Sequence, residues 1–389
     1  MKEVTKAIRI QTERTQHGEH STPMFLTSSF CFEDAAHGQD LFTNKVEGNI
    51  YSRYSNPTVQ EFIDKVCMLE KCEVGFAFAS GMAAVFAGFA GHLQSGDHLI
   101  SSQALFGSAH QIITQILPKW GIEYTYLPSD ASEAEWEQAV KPNTKMVYLE
   151  TPSNPGLELV DMEMIGRITK KHDLIYFVDN CFATPIIQKP VDFGADLIVH
   201  SATKFMDGQG RVLGGVIVGT PERMEPVTFF CRHTGPAMSP FNAWLLTKSL
   251  ETLDLRMERH CSNAEKLALA LKGVKGVNNV RYPFLKDHPQ YELAKKQMKN
   301  GGALVTFELE GGFERIVKFT QLLTIPSKTS NLGDTRTTIT NPNTTTHSKV
   351  SQELKDKLNI TEGMMRVSVG LEDIDDLVED FTQAILKSA

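Results

Sequence analysis

The sequence predicts an α/β fold: a mostly parallel sheet sandwiched by helices, followed by a smaller α+β C-terminal domain. Three observations predict it. Short apolar runs recur with helix-length spacers, namely DHLISS (97–102), IEYTYLP (122–128), KMVYLE (145–150), LIYFVDN (174–180), DLIVHS (196–201) and LGGVIVG (213–219). Continuous apolar strands alternating with amphipathic stretches such as SAHQIITQILPKW and MEMIGRITKKHD mark a parallel sheet covered on both faces. The last third changes pattern, with one long or bent helix pair over 239–274, strands at 301–310 and 363–371, and an amphipathic terminal helix, IDDLVEDFTQAILKSA. The overall balance, 389 residues with 41% hydrophobic and 22% charged, is that of a globular chain of two or three domains.

Residues 1–60 carry few periodic apolar segments and many Ser, Thr, Asn and Gly, which predicts an arm that packs against something larger, such as another subunit. A helix, PTVQEFIDKVCMLEKCE, opens the large domain, expected over 61–240, and 241–389 forms the C-terminal domain. From Val74 to Gly96 there is no Asp, Glu, Lys or Arg. That stretch is built from Ala, Gly and Phe and is interrupted by Ser80, Gly81 and His92, so it suits a turn into a buried helix better than a membrane span. The polar segment 324–348 is too long for an idle connection, and loops of that length are often functional.

Composition excludes several classes. The net charge is −8 and no basic run offsets it, which argues against a nucleic-acid binder. The six cysteines form no C-x-x-C pair and no zinc-ligand spacing with histidine, so a reducing compartment and no metal are expected. The first twenty residues have scattered charges and no apolar core segment, unlike a secretory signal. A cytoplasmic protein that binds no membrane is expected.

Open parallel sheets place ligands beyond the carboxyl ends of their strands. Three successive strands here end in polar residues: Asn154 after KMVYLE, Asp179 after LIYFV, and Lys204 after DLIVH. A lysine just past an apolar strand is partly desolvated, which favours the neutral amine needed to attack a carbonyl. An aspartate facing a pyridine nitrogen, with a lysine as Schiff-base partner, is how pyridoxal 5'-phosphate is held. Ser80-Gly81-Met82 opens a Gly/Ala-rich helix whose first amides and dipole suit the phosphate.

Longer motifs carry a resemblance over residues 16 to the end: YSRYSNPT (51–58), SGMAA (80–84), ETPSNP (150–155), VDNCFATP (178–185), HSATK (200–204), SPFNAW (239–244) and MRVSVGLED (365–373). In these the chain resembles the Cys/Met-metabolism family of fold-type I pyridoxal-phosphate enzymes, which have the aspartate aminotransferase-like fold. The resemblance implies that Lys204 carries the cofactor and moves the substrate's α- and β-protons. It implies that Asp179 holds the ring nitrogen charged, and that Gly81, Met82, Ser201 and Thr203 bind the phosphate. Tyr51 and Arg53 would reach the phosphate of a neighbouring subunit's site, giving active-site-sharing dimers paired into a homotetramer. Asn154 would sit beside the ring oxygen and substrate, and Arg366 would clamp the substrate α-carboxylate with its planar fork.

Departures from the family pattern narrow the expected activity. Where most members have a Tyr-Gly motif stacked over the ring, this chain has Leu105-Phe106-Gly107-Ser108. Phe106 can stack but has no hydroxyl, so Lys204 and Tyr51 are left to carry protons. Ser108 stands where γ-lyases place Cys, and Gln111 where cystathionine-handling members carry Arg. Ser330-Asn331-Leu332-Gly333-Asp334, the THS at 346–348 and the run Asp207 to Arg211 resemble the sulfhydrylases that use O-succinylhomoserine. The resemblance therefore implies γ-replacement in methionine biosynthesis, with sulfide displacing succinate, Asn331 at the substrate and Arg211 as the cation for the succinyl carboxylate. Acetyl-ester sulfhydrylase, cystathionine γ-synthase and methionine or cystathionine γ-lyase are the rival activities. A non-catalytic α/β ligand binder is the rival of another class.

Overall fold

A computed structural model describes all residues, 1–389. A seven-stranded sheet lies at the centre, built from β1 (Val74–Phe78), β2 (His98–Ser102), β3 (Glu123–Leu127), β4 (Thr144–Glu150), β5 (Ile175–Asp179), β6 (Leu197–His200) and β7 (Gly215–Gly219), in the order β1-β7-β6-β5-β4-β2-β3. Six strands run the same way and β7 runs against them. The other connections within the sheet contain helical turns, but β6 returns to β7 through a loop, and a strand returning without a crossover pairs antiparallel. The six apolar runs that predict strands all form them. The uncharged stretch splits: GFAF lies within β1 rather than a turn, and Gly81–His92 is a helix of 12 residues. No helix is long and apolar enough to cross a membrane.

Alternation along the strands divides the core. Val147, Leu149, Tyr176 and Val178 pack on one face, while Met146, Tyr148, Ile175, Phe177, Leu197 and Val199 pack on the other against the helix Gly81–His92. That helix lies very close to the sheet, because a Cβ on Gly88 would meet the Phe177 ring at 2.4 Å. Helix 162–172 forms as expected, with Asp161 Oδ1 accepting the Met164 amide at its start. SAHQIITQILPKW is instead broken into a helix at Gly107–Gln111, a π-helical turn at Ile112–Ile116 and a 3₁₀ turn at Leu117–Trp120. Pro118 has no amide to continue the α-helical ladder.

A second sheet of five strands holds β8 (Val277–Arg281), β9 (Leu304–Leu309), β10 (Ser327–Lys328), β11 (Thr338–Thr340) and β12 (Met364–Ser368), ordered β10-β11-β12-β9-β8. Helices Pro240–Leu250 and Leu253–Leu271 are the bent pair, and Ile374–Lys387 is the terminal helix. Near the N-terminus lie helices Glu3–Arg9 and Ala35–Phe42, and the helix Pro57–Glu70 begins inside the stretch read as an arm.

Candidate active site

The strand pleat aims the site. Glu150, Asp179 and Ser201 continue the face that carries Tyr148, Phe177 and Val199, so all three lie on the side where the helix Gly81–His92 begins. Around them is a cavity of about 240 Å³ whose lining includes Ser80, Gly81, Met82, Phe106, Asn154, Cys181, Thr203, Lys204 and Arg366. Of the residues singled out from sequence, Gly81, Met82, Phe106, Asn154, Asp179, Ser201, Thr203, Lys204 and Arg366 thus meet in one place.

The cavity has an anion-binding end. Ser80 Oγ accepts the Ala83 amide at 3.2 Å, capping the helix. The Gly81 and Met82 amides have no carbonyl four residues back to bond and belong to the positive end of the dipole. A Cβ at Gly81 would lie 2.6 Å from Ser201 Cβ, so only glycine lets the helix start this close to the strand end. Thr203 is fixed by Gly214, whose carbonyl accepts from its hydroxyl at 3.2 Å and whose amide donates to it at 3.1 Å.

At the reacting end, Lys204 Nζ donates to Asn331 Oδ1 at 3.0 Å. Burial lowers its pKa, and the nearby Arg366 lowers it further. Arg366 is buried, with Nη1 on Asn154 Oδ1 at 2.9 Å and Nη2 on the Ser330 carbonyl at 3.0 Å. Burial brings its pKa down to about 10, so the guanidinium stays charged at neutral pH. Asp179 Oδ1 accepts the Cys181 amide at 2.9 Å. Burial raises the Asp179 pKa, while that amide and the His200 imidazole pull it down. His200 and Glu70 form a fully buried pair on the opposite face, with His200 Nε2 2.6 Å from Glu70 Oε1.

Glu150 was not singled out from sequence. Its Oε2 accepts the Phe106 amide at 2.7 Å, tying the stacking aromatic to the strand end. Burial, and then the Asp179 charge, raises its pKa well above the carboxylate range. The signal available was a charge directly ending an apolar strand. Cys181, quoted within a motif, is also on the cavity wall.

Three expected residues are not brought to this cavity. Arg211 is turned away because buried Asp207 claims it: Nε and Nη2 donate to Asp207 Oδ1 at 3.0 and 2.9 Å, and Ser249 Oγ takes a further bond. Tyr51 and Arg53 lie on the N-terminal segment, with the Arg53 guanidinium 5.5 Å from the Tyr51 ring and bonded to the Arg232 carbonyl. Tyr51 is 40% exposed. Asn331 reaches the site through its bond to Lys204.

A desolvated amine, an opposed carboxylate and a glycine-lined anion cradle in one pocket form a donor set that fits pyridoxal 5'-phosphate. Residues 4–386 match the family described as Cys/Met metabolism PLP-dependent enzyme. The chain belongs to that family. The Cys/Met metabolism enzymes are fold-type I pyridoxal-phosphate enzymes, and pyridoxal 5'-phosphate is the cofactor of this one. The chain is 44% identical over 382 residues to an O-succinylhomoserine sulfhydrylase of Pseudomonas aeruginosa, covering 98% of this chain and 94% of that one. It is 39% identical over 386 residues to an L-methionine gamma-lyase of Fusobacterium nucleatum, covering 98% of each. Among solved structures, a putative O-acetylhomoserine (thiol)-lyase from Campylobacter jejuni, which holds pyridoxyl-lysine-5'-monophosphate, superposes with a TM-score of 0.95 at 31% identity over 99% of this chain and 100% of that one. With relatives of both kinds, the family chemistry of this chain is γ-replacement or elimination on small amino-acid substrates.

Proposed function

We propose that the protein catalyses γ-replacement in methionine biosynthesis, converting O-succinyl-L-homoserine and sulfide to L-homocysteine and succinate. The observation that carries this reading is the meeting of Lys204, Asp179 and Arg366 around one cavity in a chain related over its whole length to an O-succinylhomoserine sulfhydrylase.

The bound cofactor supplies an electron sink for the substrate's α-carbon. The Gly81 and Met82 amides with the Ser201 and Thr203 hydroxyls would hold its phosphate, Asp179 would pair with its ring nitrogen, and Phe106 would pack on its ring. Arg366 takes the substrate α-carboxylate, its fork held by Asn154 and Ser330 so that it meets the ligand already oriented. Lys204 Nζ would be the base that takes and returns protons at the substrate's α- and β-carbons. A lowered pKa suits that task, and Asn331 fixes where Nζ rests between transfers. Sulfide enters at the γ-carbon after succinate leaves.

The protein acts as an active-site-sharing dimer, paired into a tetramer. Leu26, Phe42 and Tyr51 are each well exposed on residues 1–60, apolar side chains that a second copy would cover. Residues 1–60 are the arm, 61–240 the cofactor domain and 241–389 the C-terminal domain.

Steady-state turnover of O-succinyl- and O-acetyl-L-homoserine at fixed sulfide tests the reading. Higher kcat/KM for the succinyl ester, with homocysteine as product, is expected. Release of 2-oxobutyrate in place of homocysteine would identify an eliminating lyase instead.

A further inference from the structure

Outside the cofactor cavity lies a second chamber of about 710 Å³ that shares Phe106, Lys204 and Ser330 with it. The wall of this chamber contains no Asp or Glu, and its only cations are Lys204 and Lys328. Lys328 Nζ spends one proton on the Leu323 carbonyl at 3.1 Å, leaving two N–H donors. Next to it, the Thr329 hydroxyl accepts the Asn331 amide at 3.3 Å and has its own proton to give. Phe313, Val317 and Met365 supply an apolar side that methylene groups can cover.

Position agrees with chemistry. Lys328 is three residues upstream of Asn331, the partner of Lys204, and that length of chain spans at most about 10 Å. An extended γ-succinyl arm, from the homoserine α-carbon to the distal carboxylate, is about 9 Å long by standard bond lengths.

We propose that Lys328, with the Thr329 hydroxyl beside it, binds the distal carboxylate of a dicarboxylic acyl group carried by the substrate. The proposal rests on the acyl-ester reading of the function and names the residue that separates succinyl from acetyl esters. Lys328 is a specificity residue: its contact lies far from the reacting bonds and holds ground state and transition state alike, so it acts on KM rather than kcat.

The holoenzyme and its Lys328→Met and Lys328→Arg variants are assayed with both esters and sulfide, and for inhibition by free succinate and acetate. Lys328→Met lowers kcat/KM for the succinyl ester about 10-fold through KM, the size expected for losing a hydrogen bond to a charged group. The acetyl ester is unaffected, succinate inhibits more weakly by a similar factor, and Lys328→Arg keeps most of the preference. Arg211→Ala, whose guanidinium is held by Asp207, leaves the ester ratio as it was. An unchanged ratio together with unchanged succinate inhibition in Lys328→Met overturns the assignment. Wild-type enzyme that fails to turn over the succinyl ester overturns the functional reading instead, and the succinate inhibition then decides Lys328 by itself.

Discussion

Glu150 and Asp179 are register partners at the carboxyl ends of adjacent parallel strands, their side chains on one face of the sheet. Burial and then the Asp179 charge raise the cost of ionising Glu150, burial raises that of Asp179, and Glu150 also holds the Phe106 amide at 2.7 Å. Ionising both carboxyls together is therefore disfavoured.

The raised pKa of Glu150 favours its protonated form, so Glu150→Gln, which preserves the acceptor for Phe106, is expected to keep kcat/KM within about threefold. Glu150→Ala leaves the Phe106 amide without a partner, a cost of about 1–3 kcal/mol, and loosens the aromatic. Its kcat/KM falls about 10-fold or more. Equal losses in the two variants would show that the charge of Glu150, not its hydrogen bond, is what the enzyme uses.

The same pair sets a pH dependence in the cofactor-free protein. In the unfolded chain these carboxyls ionise near 4, at about 3.9 and 4.3, while in the fold they hold protons to higher pH. Above the unfolded values the folded state binds more protons, so their contribution to stability is full at lower pH and is lost as pH rises through the folded values. Each unit of difference is about 1.4 kcal/mol. Glu150→Gln apoprotein should gain Tm over wild type as pH is raised from about 5 to about 8. A Tm difference independent of pH would contradict this.

Gly81→Ala places a methyl 2.6 Å from Ser201 Cβ and 2.8 Å from its Cα. Either the helix start or the strand end must shift, at about 1–3 kcal/mol. Cofactor affinity should drop by at least about tenfold, read from the absorbance of the lysine-bound cofactor during titration with pyridoxal phosphate. Affinity equal to wild type would mean that the first helical turn is not the phosphate cradle.

The proposed sharing of the site between subunits predicts complementation. On that reading Lys204→Ala and Arg53→Ala should each lose most activity alone, because one would lack the reactive amine and the other the contact to the neighbour's site. Mixing and reassembling them should restore up to about a quarter of wild-type activity, since one site in a mixed dimer has both residues and half of the random dimers are mixed. No recovery in proven mixed oligomers would place Arg53 in the site of its own chain.

Much of the fold was legible because its signals are local. Six apolar runs form the predicted strands, and residues at their ends, Asn154, Asp179, Ser201, Thr203 and Lys204, converge because parallel strands share a carboxyl rim. The direction of β7 was not legible, since an apolar run reads alike in both orientations. Nor was β1, where GFAF merges with the helix that follows. The break after Gln111 needs a π-helical turn, which no periodicity announces. Glu150 carries a visible signal, a charge ending an apolar strand, but its bond to Phe106 spans 44 positions.

By itself the sequence determined the alternation of strand and helix, the glycine at which a Gly/Ala-rich helix starts, and the lysine and aspartate at strand ends that make pyridoxal phosphate the fitting cofactor. These follow from residue type and spacing along the chain. Only the tertiary structure decided which cations are free. Arg211 follows the Lys204 loop in sequence, yet buried Asp207 holds it, whereas Lys328 comes to the outer chamber from a strand more than a hundred residues away. Coulombic pairing and burial act through space, so a charge's availability is settled by its neighbours in the fold rather than by its neighbours in the chain.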